Sequence, residues 1–132
     1  MPSVDINYWA VLLAAVINMV VGAVWYSPML FAKAWVKLTG KKDMQGGQTG
    51  YMVASLAALV QAWVLVHFVQ YAGSTTVWEG IVTGLWLWLA FVGLVMASNY
   101  VFEGRPWKLW QINAGYYLVV ILINGALLAA WR

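Results

Sequence analysis

Glu103-Gly104-Arg105-Pro106-Trp107-Lys108 is a short charged interruption in a stretch that is otherwise uncharged. No Asp, Glu, Lys or Arg occurs in residues 80–102 before it or in residues 109–131 after it. Each flank is long enough to cross a bilayer core, which takes about 20 apolar residues. Gly104 and Pro106 supply turn geometry. The stretch therefore reads as a tight interfacial hairpin between two membrane-crossing helices. The composition agrees, with 64% hydrophobic and 8% charged residues, where soluble domains carry about a quarter charged. With 132 residues there is room for one domain. As a soluble domain it would leave roughly a third of its surface in water, so the bilayer is the better solvent.

Working outward, the chain divides into four apolar segments. The first covers residues 4–26 and is stopped by Pro28, with Tyr8 and Trp9 at one end and Trp25 and Tyr26 at the other. Aromatic pairs at both ends match the interfacial belts of a spanning helix. Ala10, Ala14, Asn18, Gly22 and Tyr26 recur every four residues and form a mostly small stripe. In lipid such stripes let helices approach closely. Residues 29–38 place Phe31, Ala34, Trp35 and Leu38 on one face and Lys33 and Lys37 on the other, a short amphipathic helix lying in the membrane surface. Lys41 to Gly50 reads as a flexible polar linker.

The second segment, residues 51–71, carries Ala54, Ala58 and Ala62 as its small stripe. The third, 77–102, carries Gly80 and Gly84, then Gly93 and Ala97, and its Trp86 and Trp88 are expected to face lipid or another subunit. The fourth, 107–131, puts Asn113, Tyr117 and Asn124 on one face. Short connections make neighbouring helices antiparallel. The expected fold is all-α: a polytopic membrane protein with four transmembrane helices in an up-down bundle plus the interfacial helix.

Charge sets the expected orientation. Lys33, Lys37, Lys41, Lys42, Arg105 and Lys108 lie at one end of the bundle and only Arg132 at the other. By the positive-inside rule, connectors 27–50 and 103–108 are cytoplasmic and both termini are outside. The net charge of +3 points to anionic lipid headgroups rather than nucleic acid, because the cations cluster beside apolar segments. With no Cys there is no disulfide and no thiolate site. Asp5 is the only charged side chain ahead of the first apolar run, which is too long for a signal peptide, so that run is expected to stay as a helix.

The combination Asn18…Gly22…Trp25-Tyr26-Ser27-Pro28…Phe31…Lys33…Trp35, then Glu103-Gly104-Arg105-Pro106-Trp107, then Asn113-x-Gly115-Tyr116 resembles a family of bacterial membrane proteins, domain of unknown function 1761, over nearly the whole chain. The resemblance implies a four-span protein of the bacterial inner membrane with no established activity. It adds no mechanism.

Polar residues inside a membrane are costly, so each invites a functional reading. Asn18 and Asn124 would line a polar path or coordinate a cation or, more plainly, make interhelical hydrogen bonds. His67, the one histidine, would serve as a proton relay or an axial ligand to a pigment or haem, against a plain hydrogen bond to a neighbouring helix or to Glu79. No cofactor is expected, since no carboxylate or Cys stands at ligand spacing from it. Asn99, Glu103, Arg105 and Asn113, with Tyr26 and Ser27, are expected to converge in an inner-leaflet cluster. Arg105 would fork an anionic headgroup or small solute, or Glu103 and Arg105 would simply clasp the helix ends. No nucleophile, acid-base pair or metal motif gathers at one depth, so no enzyme is expected. Two classes remain: a self-assembling protein with a lipid or small-solute site, and an accessory subunit of a larger membrane complex.

Overall fold

The computed structural model describes residues 1–41 and 46–132. Lys42 and Asp43, part of the linker above, lie outside the described residues. The protein is all-α and polytopic. Its helices are α1 (Tyr8–Trp25), α2 (Ala32–Thr39), α3 (Gly47–Tyr71), α4 (Val77–Trp88), α5 (Leu94–Glu103) and α6 (Trp107–Ala130). A π-helical turn, Leu89–Gly93, joins α4 to α5. Four helices are long and apolar enough to cross a membrane: α1, α3, the continuous α4–π–α5 rod and α6.

Several boundaries differ from expectation. The first span begins at Tyr8 rather than residue 4, because the Asn7 side chain caps the helix by accepting from the backbone N–H groups of Trp9 (3.1 Å) and Ala10 (3.3 Å). The residues before it are held at the end of α3, where the Gln70 amide pairs with both backbone groups of Asp5. The surface helix starts at Ala32 rather than residue 29, since Ser27 and Pro28 end α1 in a turn closed by Leu30 N–H to Ser27 C=O (3.0 Å). α3 begins a turn earlier than residue 51, at Gly47. Glycines favour a linker there, yet the Gly50 N–H donates back to the Gly46 carbonyl (2.9 Å) as a helix requires.

α6 is the hub. It packs against α1, α3 and α4, whereas α3 meets α4 only weakly. Its seam with α4 is closest at Gly80, where any Cβ would collide with the Gly125 carbonyl, and at Gly84, where a Cβ would stand 2.8 Å from the Ile121 carbonyl oxygen. Ala58 and Ala62 of α3 are buried, Ala62 in a core shared with α1 and α6. Ala54 departs from the expected packing stripe: it is exposed and lines a cleft, because the first turns of α3 diverge from α1.

The tryptophans divide by role. Trp86 is exposed as expected, but Trp88 turns inward, covers Gly93 and donates its indole N–H to the Ala114 carbonyl (2.9 Å). Trp110 returns a bond from α6 to the Gly93 carbonyl (3.0 Å). At the far end of the π-containing rod, Gly104 takes the left-handed conformation (φ 68°) and lets Arg105 N–H reach back to the Tyr100 carbonyl (2.9 Å), a glycine-dependent helix stop. At the opposite end Thr76 and Glu79 form a reciprocal capping box. There the Arg132 guanidinium donates to the Ser74 carbonyl.

Candidate functional site

The polar side chains inside the bundle fall on one line along α6. At the basic end, the Tyr26 hydroxyl donates to Asn113 Oδ1 (2.7 Å), and Asn113 Nδ2 donates to the Tyr100 hydroxyl (2.8 Å). The Arg105 guanidinium lies 4.9 Å from the centre of the Tyr100 ring and pairs with Glu103 (2.7 Å). Four of the six residues assigned to an inner-leaflet cluster are thus linked, through Tyr100. The other two are not. Asn99 is exposed, and Ser27 bonds locally to the Val24 carbonyl (2.7 Å).

Tyr100 takes the place expected of Asn99. Asn99 does share a face with Glu103, one turn further on, but both are exposed, and beyond the π turn it is Tyr100 that is buried.

Half-way along the bundle, the Tyr116 hydroxyl donates to Asn18, reaching its Oδ1 and its carbonyl oxygen (3.1 Å). Asn18 Nδ2 donates to Gln61 Oε1 (3.3 Å). Gln61 escaped the sequence reading, although it is a mid-span amide of the same kind as Asn18. Further along α6, Asn124 Nδ2 donates to the Ala14 carbonyl (3.0 Å). His67 does not reach a neighbouring helix or Glu79. Its Nδ1 bonds to the Trp63 carbonyl of its own helix (2.7 Å), and its ring stands between Trp63 (4.5 Å) and Tyr71 (6.1 Å). Among the described residues no three His, Cys, Asp or Glu are grouped to hold a metal.

α1 and α6 are joined by a reciprocal exchange. Tyr116 of α6 stands over Gly22 of α1, and Trp25 of α1 stands over Gly115 of α6. Trp25 also donates to the Ile112 carbonyl (2.8 Å). Asn18, Gly22, Trp25 and Tyr26 on one helix therefore meet Asn113, Gly115 and Tyr116 on the other. A family profile described as Protein of unknown function (DUF1761) matches residues 9–129. The chain belongs to the DUF1761 family. Comparison with curated proteins and with solved structures finds no match. In this DUF1761 chain, those motif residues of α1 and α6 face one another across a single seam.

Two clefts flank that seam. One, of about 700 Å³, lies between α1, α3 and α6 toward the basic end, with Gly22, Ala23, Ala54, Ala57 and Tyr51 in its walls. The other, of about 500 Å³, lies between α3, the α4–π turn and α6. Both are lined by Asn18, Gln61 and Tyr117. The Asn18–Gln61 hydrogen bond is the partition between them.

Proposed function

We propose that this DUF1761 chain is a non-catalytic protein of the bacterial inner membrane that holds an anionic lipid in the α1–α3 cleft. In this reading connectors 27–50 and 103–108 are cytoplasmic and both termini outside. One observation carries it: a 700 Å³ cleft walled by small side chains lies toward the end of the bundle that bears Lys33, Lys37, Lys41, Arg105 and Lys108. Small residues leave room for an acyl chain, while Lys33 and Lys37 are exposed on α2, which crosses this end. Basic side chains near a membrane surface favour anionic headgroups.

Arg105 is the weaker headgroup ligand, since Glu103 already occupies its Nε. Its pair with Glu103 favours the clasp over the fork. The non-catalytic reading is supported by the separation of ionisable groups: Asp5 and Glu79 belong to one end and Glu103 to the other.

Native mass spectrometry with phosphatidylglycerol and phosphatidylcholine tests the lipid site. The expected result is retention of phosphatidylglycerol, its loss in Ala54→Trp, and loss of headgroup preference when Lys33 and Lys37 are both changed to Ala. Equal retention of the two lipids, unchanged by Ala54→Trp, overturns it.

The runner-up, an accessory subunit of a larger membrane complex, draws on the aromatic face of α3 formed by Trp63, His67 and Tyr71. A mild-detergent native gel separates the two. A small homo-oligomer accords with the lipid-site protein, and co-migration with a much larger assembly favours the accessory subunit.

A further inference from the structure

The tyrosines of the α1–α3 cleft are not equally committed. Tyr51 stands at the mouth, 72% exposed, and Tyr26, Tyr116 and Tyr117 line the interior. Tyr26 donates to Asn113 and Tyr116 to Asn18. The Tyr117 hydroxyl meets no hydrogen-bond partner among the described residues. Nor is it sealed off. Tyr117 is half-buried, and among side chains that are not themselves exposed the one polar atom both buried and unpartnered is Asn124 Oδ1. The Tyr117 oxygen is therefore open to a cavity.

Tyr117 lines both clefts, and two relationships aim its hydroxyl into the α1–α3 one. Its ring lies against Tyr116 (centroids 4.9 Å), which meets Tyr26 edge-on (5.6 Å), and both neighbours line the α1–α3 cleft alone. Side chains on a helix also lean toward its N-terminus. For α6 that end is Trp107, beside Arg105 and Lys108, and the α1–α3 cleft lies toward it. Tyr117 leaves the helix about 15 Å from Trp107 and reaches back toward the headgroup layer.

A hydroxyl among apolar groups without a partner is costly. An acyl chain has nothing to offer it. A phosphate drawn down to it would be a charge without a counter-charge, since no Lys, Arg or His among the described residues lines the cleft. Between its phosphate and its chains, however, an ester lipid carries carbonyl oxygens, uncharged acceptors that need a donor.

We infer that the lipid of the α1–α3 cleft is ester-linked, and that one of its glycerol–acyl carbonyls accepts the Tyr117 O–H. This rests on the lipid-site reading above and adds the linkage that the site selects. The headgroup stays at the mouth beside Gly47 and Tyr51, and the chain passes Gly22, Ala54 and Ala57. Tyr117 fixes the depth at which the lipid sits and separates ester from ether lipids that share one headgroup.

The test is native mass spectrometry of the full-length protein from micelles holding equal amounts of two lipids. One is dioleoyl phosphatidylglycerol; the other is its di-O-octadecenyl ether analogue, with the same headgroup and chain length but no carbonyls. Wild type is expected to retain the ester form at least about fivefold better. Tyr117→Phe, which removes a hydroxyl bonded to nothing in the protein, is expected to retain the two equally by losing the ester form. Tyr51→Phe, the same change at the mouth, keeps the preference.

Equal retention of ester and ether by the wild type overturns the inference, because it leaves the Tyr117 hydroxyl to water. A preference that survives Tyr117→Phe, or that vanishes in Tyr51→Phe, overturns it too. If both forms bind equally and both are lost in Ala54→Trp, the lipid cleft stands and only the ester contact fails. If neither form is retained, or retention is indifferent to Ala54→Trp, the lipid cleft fails and the ester contact falls with it.

Discussion

Tyr116 of α6 lies directly over Gly22 of α1, so close that a Cβ at residue 22 would stand 3.1 Å from the tyrosine hydroxyl oxygen. The same hydroxyl donates to Asn18, one turn away on α1. A glycine that admits the ring and an amide that receives its hydroxyl form one device, repeated in reverse by Trp25 over Gly115.

Tyr116→Phe and Asn18→Ala are therefore expected to be non-additive. Each alone should cost about 1–2 kcal/mol, and the double variant should fall short of the sum by about 1 kcal/mol. Unfolding in detergent micelles, run as a double-mutant cycle, measures the coupling. Additive effects would mean that the two side chains do not act together.

The two glycines Gly80 and Gly50 should respond in opposite directions. Alanine at 80 collides with the Gly125 carbonyl, whereas alanine at 50 meets nothing within 4 Å. Gly80→Ala is expected to lose about 1–3 kcal/mol by forcing α4 away from α6. Gly50→Ala, inside α3, is expected to gain about 0.5–1 kcal/mol from reduced freedom of the unfolded chain. Thermal unfolding of both variants beside the wild type is sufficient.

At the basic end, the buried aromatic should matter more than the visible ion pair. Glu103 and Arg105 are each about half exposed (51% and 50%), and such pairs contribute at most about 1 kcal/mol. Tyr100 is 7% exposed and receives the bond from Asn113. Arg105→Ala should stay within about 1 kcal/mol of wild type, while Tyr100→Ala should cost about 3 kcal/mol. The reverse order would make the charged clasp the true lock of this end.

His67 is tied by Nδ1 to its own helix, which leaves Nε2 as the sole ring nitrogen for any ligand. Purified protein is expected to show no visible absorption band. A band that disappears in His67→Ala would restore the pigment reading and with it the accessory-subunit class.

Much of this was legible in the sequence for identifiable reasons. Length and uninterrupted apolarity gave the four spans, and the Glu103–Lys108 stretch gave the hairpin, because charge cannot lie within the bilayer core without partners. The small residues at 22, 80 and 84 pointed to close seams, since only packing and hydrogen bonding draw helices together in lipid. What escaped depended on register and on neighbours. The π turn at 89–93 leaves no mark in composition, and beyond it Tyr100 rather than Asn99 is buried. Trp88 was expected to face lipid or another subunit, yet Gly93 opens a seat for its ring. Ala54 fits the small-residue pattern of Ala58, but its exposure depends on where α3 diverges from α1, which no local pattern encodes. Gln61 obeys the same rule as Asn18, as a mid-span amide on the face of Ala54 and Ala58, and was passed over.

Central to the lipid cleft is that α1 is locked to α6 while the first turns of α3 stand away from α1. A crystal structure grown from a lipidic mesophase containing phosphatidylglycerol tests this directly. The expected map has Tyr116 over Gly22, Ala54 facing a cleft, and an acyl chain running from the basic end toward the Asn18–Gln61 pair. A map in which α3 lies flush on α1, with Ala54 buried and no room for a chain, would contradict it.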